Sequence, residues 1–118
     1  MTEHLITRDS ALLALACHNG RENAIHASDL VIEITGSRDN VEAGKRRLRH
    51  VIEDLRRDGH HVCGLPSFGY YMAMSDAELN ATCAYLYSRS MTTLQQVAAM
   101  KRVSLPDLRG QLRIDTHV

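Results

Sequence analysis

Apolar and polar positions change their period several times along this chain, and each change marks an element. Ala11, Leu12, Leu13, Leu15 and Ala16 cluster behind Thr7, a residue suited to an N-cap, so a first helix is expected from Arg8 to about Cys17. Asn19-Gly20 is expected to end it, because glycine accepts left-handed backbone at a helix C-terminus. Gly20-Arg21-Glu22-Asn23 reads as a polar loop and Ala24-Ile25-His26 as a short strand. A second helix is expected from Ala27 to Thr35, with Leu30, Val31 and Ile34 turned inward and Gly36 closing it.

Ser37-Arg38-Asp39-Asn40 is a turn rich in cap-forming side chains. The third helix is expected from about Val41 to Asp58, where Val41, Leu48, Val51, Ile52 and Leu55 fall on one face and Gly59 provides the stop. Gly44 costs about 1 kcal/mol against alanine within a helix, which makes it a candidate for the true start. Two short β-prone runs, His61–Gly64 and Tyr70–Ala73, flank Leu65-Pro66-Ser67-Phe68-Gly69 and signal a hairpin. Ser75-Asp76-Ala77-Glu78 has the spacing of a capping box. From it a stripe of Leu79, Cys83, Leu86, Ser90, Leu94 and Val97 continues toward Arg102, with weak helix formers from Ser88 to Thr93 that allow a break. Pro106 is expected to end regular structure, and Leu108 to Ile114 to form a tail that packs back.

The order is helix, short strand, helix, turn, helix, hairpin, long helix. This is a mainly α chain with a small β-hairpin wing: a winged helix-turn-helix over residues 1–74, followed by a long C-terminal helix and tail over 75–118. Helices two and three form the helix-turn-helix, and the third is the one such domains place in the DNA major groove.

Charge sharpens that expectation. Fourteen basic and fourteen acidic residues cancel, yet they are unevenly spread. Residues 1–37 sum to −3, residues 38–58 to +2 and residues 59–118 to +1. Lys45, Arg46, Arg47, Arg49 and His50 stand together with no acid among them. With Leu48, Ile52 and Leu55 turned to the core, Arg46 and His50 point outward with Arg49 beside them, and Lys45 and Arg47 flank the apolar stripe. Arg46 and Arg49 suit bidentate contacts to guanine, since a guanidinium fork matches O6 and N7. Lys45 and Arg47 suit phosphates, as does Ser67 at the hairpin tip, with Phe68 against sugar. Arg38 and Asn40, in the turn that enters the third helix, complete the expected DNA-binding set. Acidic Glu53 and Asp54 fit a helix whose N-terminal half alone enters the groove.

The stretch Leu55-Arg56-Arg57-Asp58-Gly59-His60, with Gly69-Tyr70-Tyr71-Met72 after the hairpin loop, resembles the helix-to-wing passage of phage and prophage winged-helix proteins. Ala24-Ile25-His26-Ala27-Ser28-Asp29-Leu30 is similar to their entry into helix two. The resemblance covers about residues 10–73, with Asp107-Leu108-Arg109-Gly110-Gln111-Leu112 as a tail feature. It implies a transcriptional or replication regulator that binds double-stranded DNA. Between Gly36 and Ile52 the chain is several residues longer than the turn usual in that pattern, which bears on how the recognition helix is set.

The alternative is a winged helix that binds and regulates or inhibits a host or phage protein. Neutral net charge, the acidic first third and the lengthened turn suit it. An enzyme is not expected: the seven glycines are isolated, with no phosphate-cradling loop, and none of the seven histidines sits in a helical His pair or near a nucleophile motif. His60-His61-Val62-Cys63 lacks a second cluster at ligand spacing and reads as a polar approach to a strand, so neither metal nor cofactor is expected. Cys17, Cys83 and Cys63 read as small buried apolar residues. No apolar run is long enough to span a bilayer, and the opening Met1-Thr2-Glu3-His4-Leu5 lacks the pattern of a signal peptide, so a cytoplasmic protein without a membrane partner is expected.

An unbroken fourth helix from Asp76 to Arg102 would be about 40 Å long at 1.5 Å per residue. A body this small has a radius of gyration of only roughly 11 Å, so part of the helix is expected to project. Leu86, Met91, Leu94 and Val97 would then be the interface of a homodimer, which also suits a palindromic site.

Overall fold

In the computed structural model, which describes residues 5–102 and Pro106, the chain is mainly helical with a small two-stranded antiparallel sheet and a long C-terminal helix. It forms two compact units, residues 1–82 and 83–118. Among the described residues no helix is long and apolar enough to cross a membrane.

The first unit starts with α1, Arg8–Leu15. Thr7 caps it as expected, accepting from the Ser10 amide, while the Ser10 hydroxyl accepts from the Thr7 amide. The helix is shorter than its apolar pattern suggested. It turns off at Ala16 in ordinary right-handed backbone, and Gly20 plays no part in stopping it. Gly20, at φ +85°, instead opens a single 3-10 turn over Arg21–Asn23.

Helix α2, Ala27–Thr35, has the expected bounds and ends on left-handed Gly36. Helix α3, Val41–Arg57, begins upstream of Gly44, not at it. Gly44 lies inside α3 because the helix needs a bare Cα there. A Cβ on it would fall 2.5 Å from Val31 Cγ1. The start is held by Asn40 in left-handed backbone (φ +58°), and the Asn40 side chain makes no capping bond.

Ile6, Ala11, Leu15, Leu30, Val31, Ile34, Leu48, Val51, Ile52, Leu55 and Val62 form one apolar core under the three helices. Burying each of the larger aliphatic side chains contributes about 1.5–3 kcal/mol relative to leaving it in water. An ion pair between Arg8 and Asp58 joins the start of α1 to the end of α3.

The hairpin comprises β1, Val62–Leu65, and β2, Gly69–Met72, with Cys63 opposite Tyr71. The expected strand around Ile25 is reduced to one antiparallel bridge, in which Ile25 and Tyr70 exchange both backbone bonds at 2.9 and 2.8 Å. Gly69, at φ +96°, lets this approach occur, since a Cβ would fall 2.3 Å from the Ile25 carbonyl oxygen. Tyr71 is buried, which pushes its phenol above its ordinary range against a hydrogen bond with Thr82 that pulls the other way.

Helix α4 runs without interruption from Asp76 to Lys101, so Ser88–Thr93 does not break it. Within that segment Thr92 and Thr93 send their hydroxyls back to the carbonyls of Ser88 and Arg89, four residues earlier. Pro106, expected to end regular structure, has helical backbone, and the residues after it lie outside the described ones. The expected tail at Leu108–Ile114 lies outside the described residues.

Of the three cysteines only Cys63 is buried, its thiol donating to the Glu78 carbonyl at 3.7 Å. Cys17 and Cys83 are exposed. Cys17 follows the end of α1 and Cys83 lies on α4, so the reading of these two as buried apolar residues does not hold.

Candidate nucleic-acid interface

Helix α3 buries Leu48, Val51, Ile52 and Leu55, and so fixes where every other side chain on it points. At about 100° per residue, Arg46 and His50 lie opposite that stripe and Arg49 lies to one side. All three are exposed. His50 Nδ1 sits 3.5 Å from Glu53 Oε1, one turn on. Arg46 and Arg49 have no ion-pair or hydrogen-bond partner among the described residues. Each presents a guanidinium with its donors unspent.

The side of α3 carrying Arg49 is the side that meets the hairpin. Arg56, seven residues further on, stands nearly in line with Arg49, about 20° apart after two turns. Arg56 donates from Nε to the Val62 carbonyl at 2.8 Å. The opposite flank is taken by Arg47, which donates from Nε to the Ile6 carbonyl at 3.2 Å. Arg47 therefore ties the N-terminal segment to α3, although its position on the wheel suited a phosphate contact. Lys45 is half-buried and 3.4 Å from Glu42. Arg38 and Asn40 are exposed in the turn between α2 and α3, where the Ser37 hydroxyl accepts from the Asp39 amide.

At the hairpin tip, Pro66, Ser67 and Phe68 are exposed. The Phe68 ring is covered on one side by the guanidinium of Arg21, whose central carbon is 5.2 Å from the ring centroid. Sequence periodicity gave no hint of Arg21, because the 3-10 turn that carries it reaches the hairpin only through contacts distant along the chain. The Met72 amide donates to the His18 carbonyl and the Gly20 amide donates to the Met72 carbonyl, each at 2.8 Å, so the turn is fastened along β2.

The Glu78 carboxylate completes that attachment. It accepts from the Arg21 amide at 3.0 Å and the Met74 amide at 2.8 Å. These two bonds hold its carboxyl below the ordinary glutamate range. Only half of the expected capping box is present as such. Ser75 accepts from the Glu78 amide at 3.2 Å, but the Glu78 side chain serves Arg21 and Met74 in place of the Ser75 amide.

His60 and His61 are exposed just ahead of β1. Among the described residues, no group of three or more His, Cys, Asp or Glu is arranged to hold a metal ion. On α4, Leu86 is exposed while Met91, Leu94 and Val97 are half-buried. The chain matches no protein-family model, no curated protein and no solved structure.

Proposed function

We propose that residues 1–74 act as a winged helix-turn-helix that binds double-stranded DNA, with α3 in the major groove and the β1–β2 hairpin as the wing. The observation that carries this reading is the pair of exposed guanidiniums, Arg46 and Arg49, unpaired among the described residues and set on the face and hairpin-side flank of α3. The bridge between Ile25 and Tyr70 supports it by placing a strand-like residue before α2 on the outer edge of β2. The role that follows is a phage-type transcriptional or replication regulator in the cytoplasm. A second copy joined through Leu86, Met91, Leu94 and Val97 of α4 would double the contact, as a palindromic site requires.

Gel-shift titrations of wild type, Arg46→Ala and Arg49→Ala at two salt concentrations test the reading. Affinity should fall steeply with salt and each variant should bind its best sequence more weakly.

One observation favours recognition of a host or phage protein instead. Lys45 with Glu42 and Arg57 with Asp54 pair at spacings of three residues and partly cancel the charge of α3, and His50 sits against Glu53 at the same spacing. Binding without a steep salt slope would select that reading.

A further inference from the structure

The hairpin expected to touch DNA contains no cation of its own. Between Arg57 and Arg89 the chain has neither lysine nor arginine. A wing that meets a phosphate backbone without a positive group would gain little there, because neutralised phosphates supply most of the sequence-independent affinity.

The fold brings a cation to the hairpin tip from another element. Arg21 lies in the 3-10 turn before α2, and its guanidinium sits over the Phe68 ring. The turn is fastened at both ends. His18 and Gly20 bond to Met72, and Ile25 exchanges two bonds with Tyr70. The Arg21 amide is taken by Glu78, and the Asn23 amide closes the turn on the Gly20 carbonyl at 3.0 Å. Gly20 admits the close passage beside Met74, since a Cβ there would stand 3.2 Å from Met74 Cγ. The backbone of Arg21 is therefore fixed while its side chain stays exposed. Stacking on an aromatic face restrains the guanidinium without using its N–H donors, and among the described residues those donors have no acceptor.

We propose that Arg21, aligned by Phe68, is the phosphate-binding group of the wing, making a second DNA-backbone contact separate from α3. This rests on the reading of the first unit as a DNA-binding domain. Its contribution would not depend on base sequence, whereas Arg46 and Arg49 discriminate between bases.

The test uses the full chain and fluorescent duplexes of mixed sequence, with anisotropy titrations across a series of salt concentrations. Each phosphate contact contributes about 0.9 to the slope of log affinity against log salt. Arg21→Ala should lower that slope by about one and weaken every duplex by a similar factor, while Arg21→Lys keeps the slope. Arg21→Ala retains the amide that Glu78 accepts. Arg21→Gln, which keeps the length and drops the charge, is the second variant should the alanine form fold poorly. An unchanged slope in a folded Arg21 variant, with Arg46→Ala weakened, would overturn the wing contact and leave the α3 reading standing. Wild-type protein that binds duplex with no salt dependence would overturn both.

Discussion

Gly44 of α3 faces Val31 of α2 so closely that a methyl group cannot fit between them. Its Cβ would lie 2.5 Å from Val31 Cγ1, and Val31 is almost wholly buried. Alanine would gain about 1 kcal/mol of helix propensity, but overpacking a rigid core costs about 1–3 kcal/mol. Gly44→Ala should therefore destabilise the protein by about 1 kcal/mol. Combining it with Val31→Ala should recover part of the loss, giving a favourable coupling of at least about 0.5 kcal/mol in a double-mutant cycle. Chemical denaturation of the four proteins measures it, and simple additivity would refute the contact.

Ile52 sits at the centre of the buried face of α3, almost without exposure. Ile52→Ala should cost about 2–5 kcal/mol, the loss of apolar burial plus the cavity left behind. A melting temperature equal to that of wild type would mean that this face does not carry the core.

Arg46, Arg49 and Arg47 should separate cleanly. Arg46→Ala and Arg49→Ala should each weaken specific DNA binding by about 1–3 kcal/mol with little change in stability. Arg47→Ala should do the reverse, losing about 0.5–1.5 kcal/mol of stability with its bond to the Ile6 carbonyl and leaving the salt slope of binding unchanged. Denaturation and anisotropy on the same three proteins decide it, and an Arg47→Ala protein that is stable but binds poorly would reverse the assignment.

Glu78 predicts the acid response. The amides of Arg21 and Met74 favour its carboxylate, so it ionises at lower pH in the folded chain than in the unfolded one. A depressed folded-state pKa contributes stability that is fully present above the unfolded value and disappears as pH falls through the folded value. Wild type should therefore lose melting temperature on acidification below the ordinary glutamate range, and Glu78→Gln should lose less over the same window. Parallel melting curves for the two proteins in that range would contradict the bonding described.

How much of this was legible beforehand follows from which forces act locally. The span of α2, the hairpin and the buried face of α3 are written in periodicity and turn residues, and the structure has them where those patterns put them. Arg47 looked like a phosphate ligand because a helical wheel contains no information about Ile6, 41 residues away. The Glu78 motif suggested a local cap, yet its carboxylate turns to an amide 57 residues back. Gly44 looked like a boundary because helix propensity is local, while the reason for it is packing against another helix. Arg21 was silent for the same reason.

The assembly proposal rests on α4. Size-exclusion chromatography with light scattering should give a dimer for wild type at tens of micromolar and a monomer for Leu94→Glu, which places a charge in the apolar stripe. A wild-type mass near 13.2 kDa would exclude pairing. A dimer that survives Leu94→Glu would move the interface off this face.

A chain with no net charge at neutral pH lacks the mutual repulsion that keeps many proteins dispersed, and an open strand edge would then invite aggregation. Here both sides of the ribbon are occupied. Along β2, residues 18–25 take up the outward amides and carbonyls of Tyr70 and Met72. Along β1, the Val62 carbonyl is taken by Arg56 and the Gly64 amide by the Thr82 hydroxyl at 3.3 Å. A passing strand finds few backbone groups left to pair with, so a backbone segment on one edge and two side chains on the other supply the colloidal protection that charge does not.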